Sequence, residues 1–309
     1  TSLMAFDSIF FTKKGDSFSL YYLGTTMNCS KFLPIFVICF LVAGCGQHKG
    51  SNKLISKKPP IAAPEKLTAE DFEKNALMYG KDPKHWHRAI DQWKKVLQLK
   101  PNHKEAHRYL GGFYMHMGMQ DDAKLHFEKL MSLGPNKGQK IDALAGLSVI
   151  HLKLAVRMAA LEADPKAKDA FFKSNPRLKS LLKSSKEYYD LAEKELTELK
   201  SLSPKLSRIY FQLGNLELGR GNFDEAHKHL NKYIDMLSRR DPMYMFKKAD
   251  AHVAISLAYE RQKQFKDALL ALYDARDSFP LVSENEVVSQ GRMTMQRKID
   301  MLQKRYLND

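Results

Sequence analysis

Cysteine is nearly missing: three of 309 residues, at positions 29, 39 and 45. Two of these fall in a segment that reads as a cleaved leader, so the mature chain keeps Cys45 alone and no intrachain disulfide can form. A small cross-linked scaffold is thereby excluded, and the fold must be held by a packed core. Also missing are a Gly-rich phosphate loop, a nucleophile elbow and a dinucleotide fingerprint, which leaves any enzymatic reading to side-chain clusters alone. The unbroken apolar run Phe32–Ala43 is 12 residues long. A membrane-spanning helix needs about 20.

What is present is a large supply of core residues, with 44% of the chain hydrophobic, and a strong basic excess of +15. Removing residues 1–44 takes away three Lys and two Asp and leaves +14, so the basicity belongs to the folded part. Such a charge attracts anionic surfaces in general. Nucleic acid is not an expected partner, because the leader directs the domain away from it.

Met27–Ser30 is short and polar, Lys31 is positive, and Phe32–Ala43 is apolar, the order of regions in a signal peptide. Residues 1–26, opening on Thr1, are read as an upstream artefact or fragment, and 27–44 as the leader. The leader closes on Leu41-Val42-Ala43-Gly44-Cys45, which resembles the lipobox of bacterial lipoproteins. That resemblance implies that Cys45 is lipidated, with palmitate among the acyl chains, and becomes the mature N-terminus on a lipid bilayer. The competing reading is an ordinary secretory cleavage site. Two or three acyl chains hold a soluble domain stably, one only marginally. Gly46 stands where an Asp favours inner-membrane retention, so the implied location is the bacterial cell envelope, the periplasmic face of the outer membrane ahead of the inner membrane. Residues 45–66, with Pro59, Pro60 and Pro64 and no apolar period, read as a tether whose 21 residues past Cys45 reach at most roughly 70 Å.

From residue 67 the pattern is helical and repeats. Ala89 and Ala123 are 34 apart, as are Pro101 and Pro135, Trp93 and Phe127, and Ala192 and Ala226. That period marks a helix-turn-helix solenoid. Residues 104–137 carry Leu110, Gly111, Tyr114, Ala123, Phe127 and Pro135, with His107 in place of the usual Trp and Leu130 in place of a small residue. Weaker copies hold Ala89, Trp93 and Pro101; Leu213, Gly214 and Ala226; and Tyr259, Ala268, Ala275 and Pro280. On these residues the chain resembles the tetratricopeptide (TPR) family. The fold it implies is all-α, a right-handed TPR-type solenoid over 67–306. About five units start near residues 70, 104, 138, 207 and 249, with an insertion around Arg239–Phe246. A capping helix over about 284–306 is expected to open on a Ser283–Glu286 capping box.

The third unit is too long. Apolar or small residues step by 4 and 3 through Ile141, Ala145, Ser148, Leu152, Ala155 and Ala159, and again through Leu178, Leu182, Ser185, Tyr189, Ala192, Leu196 and Leu199. This predicts two lengthened antiparallel helices, 140–163 and 177–202, joined along a heptad seam, with an inserted arm at about 155–189. Phe171 and Phe172 at its tip, among lysines, are candidates for a second docking surface facing a partner or the lipid interface.

His103 and His107 stand one helical turn apart with Glu105 between, but neither zinc-protease spacing is met. Because His107 and His252 occupy the family's aromatic position, packing is favoured over metal. No catalytic residue, metal or other cofactor is expected. Gly219-Arg220-Gly221 reads as a turn. The family's inner-face positions, carried over residue by residue, are Lys74, Met78 and Lys81; Arg108, Gly112 and Met115; Arg208, Phe211 and Asn215; and Val253, Leu257 and Glu260. Cations with flexible Met and one aromatic suit an acidic-apolar peptide segment. The full carboxylate-clamp set is missing. The implied function is a membrane-anchored adaptor or scaffold for protein–protein interactions in envelope assembly, in pilus and secretin, outer-membrane or cell-wall machinery. The alternative is a metal- or substrate-binding accessory protein of an envelope enzyme.

Overall fold

A computed structural model of the protein describes residues 67–306, together with the backbone of residues 9–14, 17–22 and 25–26. The leader, Cys45 and the tether lie outside the described residues. Strands β1 (Ile9–Lys14), β2 (Ser17–Tyr22) and β3 (Thr25–Thr26) form an antiparallel meander, Ile9 opposite Tyr22 and Tyr21 opposite Thr26. The sequence reading expects no element there, although the segment is rich in aromatic residues and Thr, which have high β propensity.

Residues 67–306 hold helices and the turns that join them. Paired antiparallel helices run α1 (Ala69–Tyr79) with α2 (Trp86–Leu99), α3 (Lys104–His116) with α4 (Gln120–Ser132), and α5 (Lys137–Ala163) with α8 (Ser185–Leu202). Short helices α6 (Pro165–Ser174) and α7 (Leu178–Leu181) interrupt the third pair. Next come α9 (Arg208–Arg220) with α10 (Phe223–Met236) and α11 (Tyr244–Arg261) with α12 (Phe265–Asp277), and α13 (Glu286–Tyr306) closes the series. The five expected units and the capping helix are therefore present.

Each pair is held where the repeat signature places it. Phe127 of α4 is 3% exposed and wedges between two glycines of neighbouring helices. A Cβ on Gly111 of α3 would stand 2.6 Å from its ring, and one on Gly146 of α5 would be closer still. Both helix backbones thus rest directly on the Phe127 ring, and any side chain at either glycine would force the ring to shift. Leu230 occupies the same relation to Gly214 in the fourth unit. α5 is long and apolar enough by composition to cross a membrane, but most of its apolar window is buried inside the solenoid. Its residues Ala143, Leu147 and Ile150 enter the core built on Trp93, Leu110 and Phe127, while Leu152, Ala155 and Met158 enter the core built on Tyr188, Leu196 and Ile209.

Four boundaries differ from the sequence reading. The second helix of the arm begins at Ser185, not at 177. Ser184 and Glu187 form a capping box that starts a new helix there, and Leu182 is extended. Leu178 and Leu182 accordingly do not continue the seam, which runs through Ala145, Ser148, Leu152 and Ala155 against Tyr189, Ala192, Leu196 and Leu199. α11 begins at Tyr244, five residues early, because Phe246 is needed in the core, where its ring meets Phe279 edge-on at 5.1 Å. α13 is capped by Asn285, whose carboxamide oxygen accepts the N–H groups of Val287 and Val288, while Ser283 accepts from Asn285. Finally, Gly219 lies inside α9 with Tyr189 pressed on its backbone. Gly221 alone supplies the turn, at φ 84°.

Candidate partner groove

The first helices form one continuous layer from the second unit onward: α3 packs on α5, α5 on α9, and α9 on α11, more extensively than the second helices pack on each other. A stack whose first helices sit closer together than its second helices curves toward the first, so these line its inner side. The residues carried over from the family lie on first helices, except Lys81 in the turn just after α1, and the structure sorts them into two groups.

The residues of the first unit are open. Lys74 and Lys81 are exposed and Met78 is 55% exposed. Arg208 and Leu257 are exposed on α9 and α11. The second group is engaged internally. Arg108 bridges Glu105 at 2.6 Å and Asp142 of the next unit at 3.0 Å, and its guanidinium lies 4.3 Å from the centre of the Tyr109 ring. Burial alone would push Glu105 up, but hydrogen bonds from Gln139 and Arg108 bring it below the usual carboxylate range. Burial likewise opposes the Arg108 charge, and its bonds to Glu105 and Asp142 raise it. Asn215 is 5% exposed and its amide N–H donates to the Phe211 carbonyl, so that donor is occupied. Phe211 is half-buried, its ring 5.1 Å from Tyr233, and Met115 packs against the N-terminal core. The first-helix side is thus most accessible in the first unit and again at α9–α11, with a salt-bridged middle.

Four histidines are engaged within the fold. His103 caps α3, its Nδ1 accepting from Ala106 N–H, and lies 3.5 Å from Glu73. His107 Nε2 sits 3.0 Å from the Pro101 carbonyl, which can only accept, so the proton is on Nε2. Its Nδ1 then accepts from His126 Nδ1 at 2.9 Å. Burial pushes His107 down, and burial with His107 beside it pushes His126 down to about 4. The pair is neutral at pH 7. His151 and Glu195 form a second buried pair, 2.9 Å apart across α5 and α8, and burial raises the Glu195 carboxyl. Among the described residues no three His, Cys, Asp or Glu side chains come together as metal ligands.

The arm folds back on the hairpin. Glu162 at the end of α5 accepts the N–H of Ser185 at 3.1 Å and its hydroxyl, so the two long helices end level with each other. Phe172 and Leu182 pack against the central core. Phe171 meets Phe172 edge-on at 5.3 Å, and both are half-buried.

No family model and no curated protein sequence matches the chain. Among solved structures it is similar to YrrB, a TPR protein with an unusual peptide-binding site, at 20% identity, covering 73% of this chain and 92% of that one with a TM-score of 0.45. It is also similar to TTC0263, a TPR protein of Thermus thermophilus, at 13% identity, 76% and 98% coverage and a TM-score of 0.47. A third is PilW, a type IV pilus biogenesis factor, at 13% identity, 78% and 94% coverage and a TM-score of 0.41. The helix pairing, the 34-residue period and the Gly111–Phe127–Gly146 wedge decide the architecture by themselves. The fold is an all-α TPR solenoid. In TPR terms, α3 and α4 are the most regular unit and α5 with α8 the lengthened one.

Proposed function

We propose that the chain is a membrane-anchored TPR adaptor, held on a bacterial envelope membrane through acylated Cys45 and binding an acidic-apolar segment of a partner protein along its inner layer. The observation that carries this reading is the run of first helices that leaves Lys74 and Met78 open on α1, Lys81 open in the turn after it, and Arg208 and Leu257 exposed further along beside the half-buried Phe211. Cations there steer an acidic segment, while Met78 and Phe211 supply adaptable apolar contact. Arg108 belongs to the scaffold of this surface: its two carboxylate partners cancel its charge and fix α3 against α5. Envelope assembly, in pilus and secretin, outer-membrane or cell-wall machinery, is the setting for such an adaptor, in keeping with the envelope address that Cys45 implies.

The test is site-specific photocrosslinking of the full-length chain in cells. A crosslinker at Met78 or Leu257 should capture the same partner, whereas one at Leu125 or Leu270, which are 63% and 60% exposed on the second helices α4 and α12, should not. Equal capture from both faces would remove the groove from the proposal.

A further inference from the structure

We propose that the tip of the inserted arm, residues 164–183, docks on the headgroup layer of an anionic lipid bilayer. This deepens the adaptor reading by naming the surface that lays the solenoid against its membrane, and it does not depend on lipidation of Cys45.

The tip carries six cations, Lys166, Lys168, Lys173, Arg177, Lys179 and Lys183, against two acids, Asp164 and Asp169, for a net charge of +4. In the solenoid many cations are matched across helices, as in Arg108 with Glu105 and Asp142, Lys140 with Glu198, and Arg220 with Asp190 and Glu193. At the tip, by contrast, Lys166, Lys168, Lys173, Arg177 and Lys179 have no carboxylate within ion-pair distance among the described residues. Asp164 spends its side chain on the backbone N–H groups of Lys166 and Ala167, at the start of α6. The charge therefore stays uncompensated among the described residues.

Apolar groups are interleaved with these cations. Leu181 is 70% exposed, and Phe171 is half-buried with the Phe172 ring as its aromatic neighbour. Phe172 and Leu182 fasten the tip to the core, so this is a built surface and not a loose loop. An acidic peptide would call for a cleft or an exposed strand edge to lie in. Residues 164–183 offer instead a short helix, a bend and a single helical turn, with long basic stems beside the exposed Leu181 and the half-buried Phe171. That arrangement suits a headgroup layer, where ammonium and guanidinium groups reach phosphates while Leu and Phe enter the acyl boundary.

The test uses the full-length chain carrying Cys45→Ser in every sample, so that no acyl chain contributes. Binding is measured by cosedimentation with vesicles of phosphatidylcholine alone and of phosphatidylcholine with phosphatidylglycerol at about two to one. The parent should partition at least about tenfold better onto the anionic vesicles, and the difference should collapse near 0.5 M salt. Reversing Lys166, Lys168, Lys173 and Lys179 to Glu should abolish the preference. Reversing four lysines exposed elsewhere, Lys129, Lys137, Lys205 and Lys266, should retain most of it. Circular dichroism confirms that each variant is folded. A separate Leu181→Trp variant should shift its emission to the blue with anionic vesicles only. Equal vesicle binding by parent and tip-reversed protein overturns the proposal, as does an unshifted Leu181→Trp. Loss of groove crosslinks with retained vesicle binding in the tip-reversed chain would make the tip a protein contact and also overturns it. Failure of the crosslinking at Met78 alone bears on the adaptor reading and leaves this one standing.

Discussion

Replacing Gly111 with Ala tests how the second and third units are joined. In an unhindered helix interior the change is favourable by about 0.5–1 kcal/mol, because Ala loses less backbone entropy on folding. Here the new methyl would stand 2.6 Å from Phe127 Cε1, about 0.9 Å inside the optimal carbon–carbon separation of ~3.5 Å. The ring has no room to retreat, since it is 3% exposed and rests on the Gly146 backbone on its other side. Overpacking of this kind costs up to about 3 kcal/mol, so the expected net loss is about 2 kcal/mol. For a domain of this size that corresponds to a fall in Tm of roughly 4–8 °C, measurable by circular dichroism. Phe127→Leu in the same chain should return part of the loss, because the shorter side chain vacates the space the methyl needs. The two single changes would then be non-additive by about 1 kcal/mol or more. If Gly111→Ala is as stable as the parent, or if Phe127→Leu rescues nothing, the wedge does not set the joint between these units.

Cys45→Ser should leave the chain unprocessed or released, because a hydroxyl cannot form the thioether; continued fractionation with membranes at high salt would refute lipidation. Lys74→Glu with Lys81→Glu should slow partner association and flatten its salt dependence, whereas Phe211→Ala should mainly quicken release, both read by surface-immobilised binding kinetics. His126 binds a proton in the unfolded chain near pH 6.5 but in the folded one only near pH 4, so stability should fall as pH drops through that window, by about 2 kcal/mol after allowing for partial solvent screening. His126→Phe, which keeps the stack on Tyr114, should flatten denaturant midpoints between pH 6.5 and 4; an unchanged slope would refute the assignment. Deleting 164–175 and closing the gap with a short turn should leave the α5–α8 pair folded but abolish complementation of a deletion strain, and full complementation would make the arm structural only.

Helix pairing was legible because a 34-residue period survives in a handful of small and aromatic positions whose spacing follows from close helix contact. Ser184 with Glu187 and Asn285 were equally visible as helix starts. The heptad steps point to a start at 177, where the Ser184–Glu187 box sets it at Ser185, and the Ser283–Glu286 spacing competes with Asn285, whose side chain makes the cap. The state of the inner-face residues was less accessible. Arg108 looks like a free groove cation until Asp142, 34 residues on, is seen opposite it, and Glu105 meets Gln139 at the same separation. One repeat length is the distance at which partners in adjoining units meet, so scanning for opposite charges at that interval would have found the bridge. Nothing comparable marks the arm, whose fold depends on the Glu162–Ser185 contact and on which phenylalanine turns inward.

The double membership of α5 has a mechanical consequence. A chain tethered near its N-terminus and loaded through its partner would be pulled from α1. The α1–α2 pair joins the rest chiefly through α2 against α3, a narrow seam that peels one unit at a time. Tearing past α4 would require extracting a 27-residue helix from two cores at once. Under tension the first two units would therefore act as an extensible leash, and α5 as the stop at which lengthening ends.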